Sequence, residues 1–222
     1  MYLISEYIAK NTDVKVVLSG EGADELFGGY MYFKYAPNDV AFRAEIVTLL
    51  QNLYLYDVLR ADRSTAAHGL EVRPPFLDDL LVDVVLSNKN LKGSKTTTKE
   101  LIRLTVADKN LLPDNILWGK KEAFSDAVGL SWKESIEPYA HLELCKIDDK
   151  LYLTSIGKDL DWRNQKICHI RQYTREAGYF QHWFNEFYPN AWDLLPKLWL
   201  PNQSWVKTGS EPSARVLDVY KT

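Results

Sequence analysis

The stretch from Ser19 to Tyr30, SGEGADELFGGY, decides how this chain is read. The apolar run before it, Val14 to Leu18 (VKVVL), has the length and branched residues of a buried strand. Glycines then bracket a turn, and Ala23 to Phe27 reads as the start of a helix. Ser19, Gly20 and Gly22 therefore fall where backbone N–H groups can point at an anion. Three acids, Glu21, Asp24 and Glu25, follow at spacings of three and four. On a helix they share a face and repel by a few tenths of a kcal/mol per pair, so cations are expected opposite them. Acids in a first helical turn are also favoured by the helix dipole without any function. The glycines and the strand-end position, where open α/β sheets place ligands, point instead to a nucleotide, a divalent metal and an acid or base.

Working outward, Tyr2 to Lys10 has a helical pattern that feeds the strand. From Asp39 to about His68 apolar residues recur at helical spacing without glycine or proline, which predicts the longest helical stretch, with a break near Asp62. Gly69 closes it, and Pro74-Pro75 forces Leu70 to Arg73 to be extended. Helices are expected over Leu77 to Leu86, over Thr98 to Asp108 with Thr96, Thr97 or Thr98 as cap, over Ser131 to Cys145 with a kink at Pro138, and over Thr174 to Phe187. Residues 1–188 form the expected domain, and 189–222, rich in Trp and Pro, the tail packed on it. Only Val14 to Leu18 reads as a buried strand, and one strand is not a sheet. The fold class is therefore α/β, predominantly helical, with most of a parallel sheet missing.

The 222 residues carry a net charge of -3, are 46% hydrophobic and have a sequence pI near 5.8. That balance suits a globular core and argues against a nucleic-acid binder. Cys145 and Cys168 have neither metal-ligand spacing nor disulfide-scaffold density, so a reducing cytoplasmic setting is expected. No 18-residue apolar run or signal-peptide core is present, so no membrane partner is expected.

Two further clusters carry charge. Arg60, Asp62, Arg63, Glu71, Arg73 and Asp78 lie around a Pro-Pro turn; paired Arg can grip a carboxylate or phosphate, and ion pairs tying the long helix to the next loop are the plainer reading. Lys120 and Lys121 lie in a glycine-containing loop between aromatics. They read as solvated lysines or as a cation for a phosphorane or acyl-adenylate. His68 reads as a helix-end residue.

Taken together, residues 19–37 (SGEGADELFGGYMYFKYAP), 55–78 (LYDVLRADRSTAAHGLEVRPPFLD) and 117–132 (LWGKKEAFSDAVGLSW) resemble three blocks of the synthetase domain of glutamine-dependent asparagine synthetases. EPSAR at 211–215 resembles that family's DPSAR tail motif. The resemblance implies the C-terminal part of an ATP-pyrophosphatase (adenine nucleotide α-hydrolase-like) domain. It also implies activation of aspartate by Mg-ATP to β-aspartyl-AMP and amidation by ammonia that a glutaminase domain releases from glutamine. On this carry-over Ser19 and Gly20 lie against ATP, Glu21 is needed for the adenylate and helps deprotonate the amine, and Asp24 is a magnesium ligand. Glu25, Arg60 and Arg73 hold aspartate, and Lys121, not Lys120, is the loop lysine.

Some family features differ or are not found in the 222 residues. Ala127 stands where the loop usually has glycine, and Pro74 where an aliphatic residue is usual. The pyrophosphate loop of SGGLDS type and the glutaminase domain with its leading cysteine do not occur in these residues. The expectation is thus a fragment or one half of a split synthetase that works with an N-terminal half. A β-lactam-synthetase-like ligase acting on another acid and a non-catalytic binding remnant are the alternatives.

Overall fold

The computed structural model describes residues 1–89, 91–92, 98–119, 121, 132–147, 175–191, 194–196 and 199–206. These fall into two compact units, one built on Met1–Lys121 with residues 202–206, the other within Glu122–Pro201.

In the first unit, helix α1 (Tyr2–Asn11) leads to strand β1 (Val16–Leu18), and the short helix α2 (Ala23–Leu26) follows the glycine turn. Helix α3 (Asp39–Asn52), helix α4 (Asp57–Ala66), strand β2 (Glu71–Arg73), helix α5 (Asp79–Ser87), helix α6 (Glu100–Asp108) and helix α7 (Asp114–Leu117) come next. The Asn38 side chain caps α3 by accepting from the Ala41 N–H, and Asp78 caps α5 by accepting from Leu80 and Leu81.

β1 and β2 pair in parallel, Val16 with Glu71, Val17 with Val72 and Leu18 with Arg73. The Ser19 N–H then donates to the Arg73 carbonyl at 3.0 Å, so the glycine turn leaves directly from the end of the ladder. The extended stretch before Pro74-Pro75 is thus a strand, beyond the single strand expected. The expectation of a buried β1 is overturned: Val16 is 39% and Leu18 76% exposed, because β2 is its sole strand neighbour among the described residues.

Two other expectations need correction. The long helix breaks at a 3-10 turn over Leu53–Leu55, not near Asp62, because Tyr56 leaves helical geometry at φ -123, ψ -107. Helix α6 carries no threonine cap; Lys99 holds the N-cap position in left-handed backbone. Helix α7 was not expected at all; Pro113, just before it, is the local signal that marks its start.

The first unit's core gathers Leu26, Phe27, Met31, Tyr32, Phe33, Phe42, Ile46 and Leu49, all buried. Tyr32 and Phe33 also meet Trp205, each at 5.9 Å between ring centres. Below the rings, Glu45 accepts from Tyr32 Oη and from Asn202 Nδ2, both at 2.7 Å, which fastens the tail to α3. Tyr32→Phe leaves one carboxylate oxygen of Glu45 without this donor, at a cost of about 1–2 kcal/mol. Thermal denaturation should therefore show a midpoint about 2–8 °C lower.

The second unit contains helix α8 (Trp132–Ile147), with Pro138 inside it, and helix α9 (Arg175–Phe187), which pack together. Ala140 is fully buried, and Tyr139 meets Tyr179 edge-on at 5.8 Å. Cys168, Thr96, Thr97, Lys120, Ala127 and the EPSAR segment lie outside the described residues, as does the side chain of Cys145.

Candidate active site

The turn after β1 is shaped by its own polar groups. Ser19 Oγ accepts the Glu21 N–H at 3.2 Å, and the Ala23 N–H donates to the Gly20 carbonyl at 3.3 Å. Gly22 has φ +87, and a Cβ there would stand 2.3 Å from a Leu77 methyl, so glycine is required by both strain and space. Around Gly20 a Cβ would meet nothing within 4 Å, which leaves the turn open to a ligand.

Asp24 is the centre of charge. Its Oδ2 accepts from Lys121 Nζ at 3.2 Å. Lys99 Nζ stands 3.0 Å from Oδ1, without hydrogen-bond alignment. All three side chains are less than a quarter exposed. One carboxylate between two ammoniums leaves an ammonium in excess among these three groups, available to an anion that approaches them. Gly29 makes room for this cluster: a Cβ there would lie 2.1 Å from Asp24 Oδ1 and 2.4 Å from Lys99 Cε.

Glu21 faces Arg60, with Nη2 3.5 Å from Oε1, and Arg60 also pairs with Asp57 at 3.1 Å. Burial pushes the Glu21 carboxyl above its ordinary range and the Asp57 charge adds to this, while Arg60 opposes them. Glu25 is buried, 5% exposed, and accepts a hydrogen bond from Tyr30 Oη. Burial likewise raises its carboxyl, partly offset by that bond. The Tyr30 ring lies 5.8 Å below Lys121 Nζ, within cation–π range.

Of the residues named from sequence, Glu21, Asp24, Glu25, Arg60 and Lys121 lie in this one unit around the turn, with Ser19 and Gly20 forming the turn itself. The Arg73 backbone borders Ser19, but its side chain is exposed and bonds Glu71 at 2.6 Å. The Arg60–Asp79 cluster is paired mostly within its own elements, Arg63 with Asp62 and Arg73 with Glu71. His68 lies within the turn after α4 and meets Tyr2 edge-on at 4.3 Å. Sequence reasoning missed Lys99 and Tyr30. The signal for Lys99 was obscured by the threonines before it, which drew the capping assignment to themselves.

A raised carboxyl in the folded state binds protons that the unfolded state releases, so it stabilises below its ordinary value and loses this as pH rises through the folded value. Stability should fall from about pH 4.5 upward on account of Glu25. Glu25→Gln, which still accepts from Tyr30, should flatten that decline in a series of thermal midpoints from about pH 4 to 8.

The family described as asparagine synthase matches residues 1–41 and 34–151. The chain belongs to the asparagine synthase family. Among its relatives, the asparagine synthetase [glutamine-hydrolyzing] of Cricetulus griseus is 43% identical over 227 positions, and those of Homo sapiens and Gallus gallus are 42% identical. Each alignment covers 100% of this chain and 38% of the relative, so the chain spans less than half the length of these synthetases. No described helix is long and apolar enough to cross a membrane. No three His, Cys, Asp or Glu side chains among the described residues cluster as a metal cage. Magnesium does not require one, since it binds through one or two carboxylates together with substrate phosphates and water. Asp24 offers one carboxylate of that kind, while the ammoniums of Lys99 and Lys121 have no lone pair for a metal and suit phosphate oxygens instead.

Proposed function

We propose that this chain is the C-terminal part of the ATP-pyrophosphatase domain of a cytoplasmic asparagine synthetase. It acts with an N-terminal portion that supplies the rest of the parallel sheet, the pyrophosphate loop and a glutaminase. The observation that carries the reading is Asp24 held between Lys99 and Lys121, beside the open turn at Gly20 and the desolvated carboxyl of Glu21.

In this reading a side-chain carboxylate oxygen of aspartate attacks the α-phosphorus of ATP, and the bond to pyrophosphate breaks. Ammonia then attacks the acyl carbon, gives up a proton, and AMP leaves with the bonding electrons. Ser19 and Gly20 line the nucleotide. Lys121 and Lys99 turn from Asp24 to the phosphates and offset their growing charge. Asp24, so released, would hold magnesium, which lowers the negative charge of the phosphates. Glu21, whose carboxylate burial and the Asp57 charge make a stronger proton acceptor than an ordinary one, accepts the amine proton. Glu25 and Arg60 take the amino and carboxylate groups of aspartate, and Arg73 joins them only by leaving Glu71.

The test supplies the chain with the N-terminal portion that its relatives carry and follows ATP–pyrophosphate exchange across a panel of acids. Exchange dominated by aspartate is expected. Dominance of another acid would move the reading to a β-lactam-synthetase-like ligase, and absence of exchange with every acid would leave a binding remnant.

A further inference from the structure

Lys99 and Lys121 reach Asp24 from two separate stretches of chain, and one side chain ties those stretches together. Arg103, in the first turn of α6, donates through Nε to the Thr98 carbonyl at 2.8 Å and through Nη2 to the Gly119 carbonyl at 3.0 Å. Its Nη1 donates to the Leu117 carbonyl, and its backbone N–H donates to the Lys99 carbonyl at 3.1 Å. A single planar guanidinium thus spans the residue before Lys99 and the residue two before Lys121. The Leu117 carbonyl ends α7, where the last carbonyls have no partner within the helix and a cation is favoured.

Lys99 needs such a restraint. Its backbone sits at φ 55, ψ 32, left-handed geometry that a residue with a side chain adopts at a cost. Such conformations persist only where the surroundings over-determine them. Here the carbonyls on either side of the Lys99 nitrogen and carbon are both held by Arg103, one by its side chain and one by its main chain. Lysine in place of Arg103 offers a rotating ammonium and no planar fork, so it cannot hold three carbonyls in the same plane.

We infer that Arg103 is a positioning residue of this site, fixing the separation of the Lys99 and Lys121 ammoniums across Asp24. That its purpose is to ready both lysines for phosphates rests on the synthetase reading above, whereas the positioning itself does not.

Lysine side-chain NMR on the 15N-labelled chain tests the positioning directly. Slowly exchanging ammonium signals are expected from Lys99 and Lys121, assigned by their disappearance in Lys99→Met and Lys121→Met. Arg103→Met should abolish both while backbone amide signals of α3 stay in place, and Arg103→Lys, the milder change, should abolish at least one. Both signals surviving in both variants, or their absence from the unmutated chain, would overturn the inference. In the reconstituted enzyme, Arg103→Lys should lower kcat about tenfold with little change in KM for ATP, yet less than about twofold when Lys121 is already Met. Equal loss in both backgrounds would mean that Arg103 does not act through Lys121. A reconstituted enzyme without turnover would count against the synthetase reading alone, and the ammonium signals would still decide the role of Arg103.

Discussion

Glu21→Gln is expected to lower synthetic turnover in the reconstituted enzyme by about 10²–10⁴-fold, the range for removal of a positioned general base. The amide keeps the shape and still accepts from Arg60, so the loss isolates the proton-accepting role. Arg60 also retains its partner Asp57 at 3.1 Å, which keeps the α4 side of the site in place. The pH dependence gives a second readout. Burial and the Asp57 charge lift the Glu21 carboxyl above its ordinary 4.5. A base works only when ionised, so kcat/KM should rise with pH through that raised value. The acidic limb should vanish in Glu21→Gln. Turnover that stays within a few-fold of the unmutated enzyme, with the limb intact, would remove Glu21 from the chemistry.

Gly29→Ala should be damaging through packing alone, since Gly29 has no positive φ to add backbone strain. The added carbon would lie 2.1 Å from Asp24 Oδ1, 2.4 Å from Lys99 Cε and 2.9 Å from Asp24 Cα. Side-chain ends can swing away, but the Asp24 backbone cannot, so α2 must shift and the Asp24–Lys99 pair must open. Overpacking of this kind costs about 1–3 kcal/mol. In a chain of this size the thermal midpoint should drop by about 2–12 °C. Gly20→Ala is the control, since its Cβ meets nothing within 4 Å. That variant should keep its stability within about 0.5 kcal/mol and, on the proposed reading, raise KM for ATP because the methyl enters the space left for the nucleotide. A Gly29→Ala protein as stable as the Gly20→Ala protein would show that the packing around Asp24 is looser than described.

Much of the site's scaffold is local and was therefore readable. Branched apolar residues, then glycines, then acids spell strand, turn and helix, and β1, the turn and α2 follow that order. Pro74-Pro75 excludes helix just before it, and β2 lies there. The fate of Arg73 was also within reach, because residues two apart on a strand share a face and Glu71 is its neighbour at that spacing. The break in the long helix was harder to see. No glycine or proline between Asp39 and His68 marks it, and the turn ends where Tyr56 leaves helical geometry.

By itself the sequence determined the motif order, the identities of the acids and lysines, and through them the family. It also led to the expectation of cations opposite the acids, which Asp24 and Glu21 meet, whereas Glu25 meets the Tyr30 hydroxyl. Which cations these are was decided only by the tertiary structure. Lys99 and Lys121 are distant in sequence from Asp24, as Arg60 is from Glu21, and no periodicity links these pairs. Their meeting depends on α4 crossing to the turn and on Arg103 joining α6 to the end of α7. Long-range packing of this sort has no local signature, so the stretch SGEGADELFGGY announced a charged site whose counter-ions only the folded chain could name.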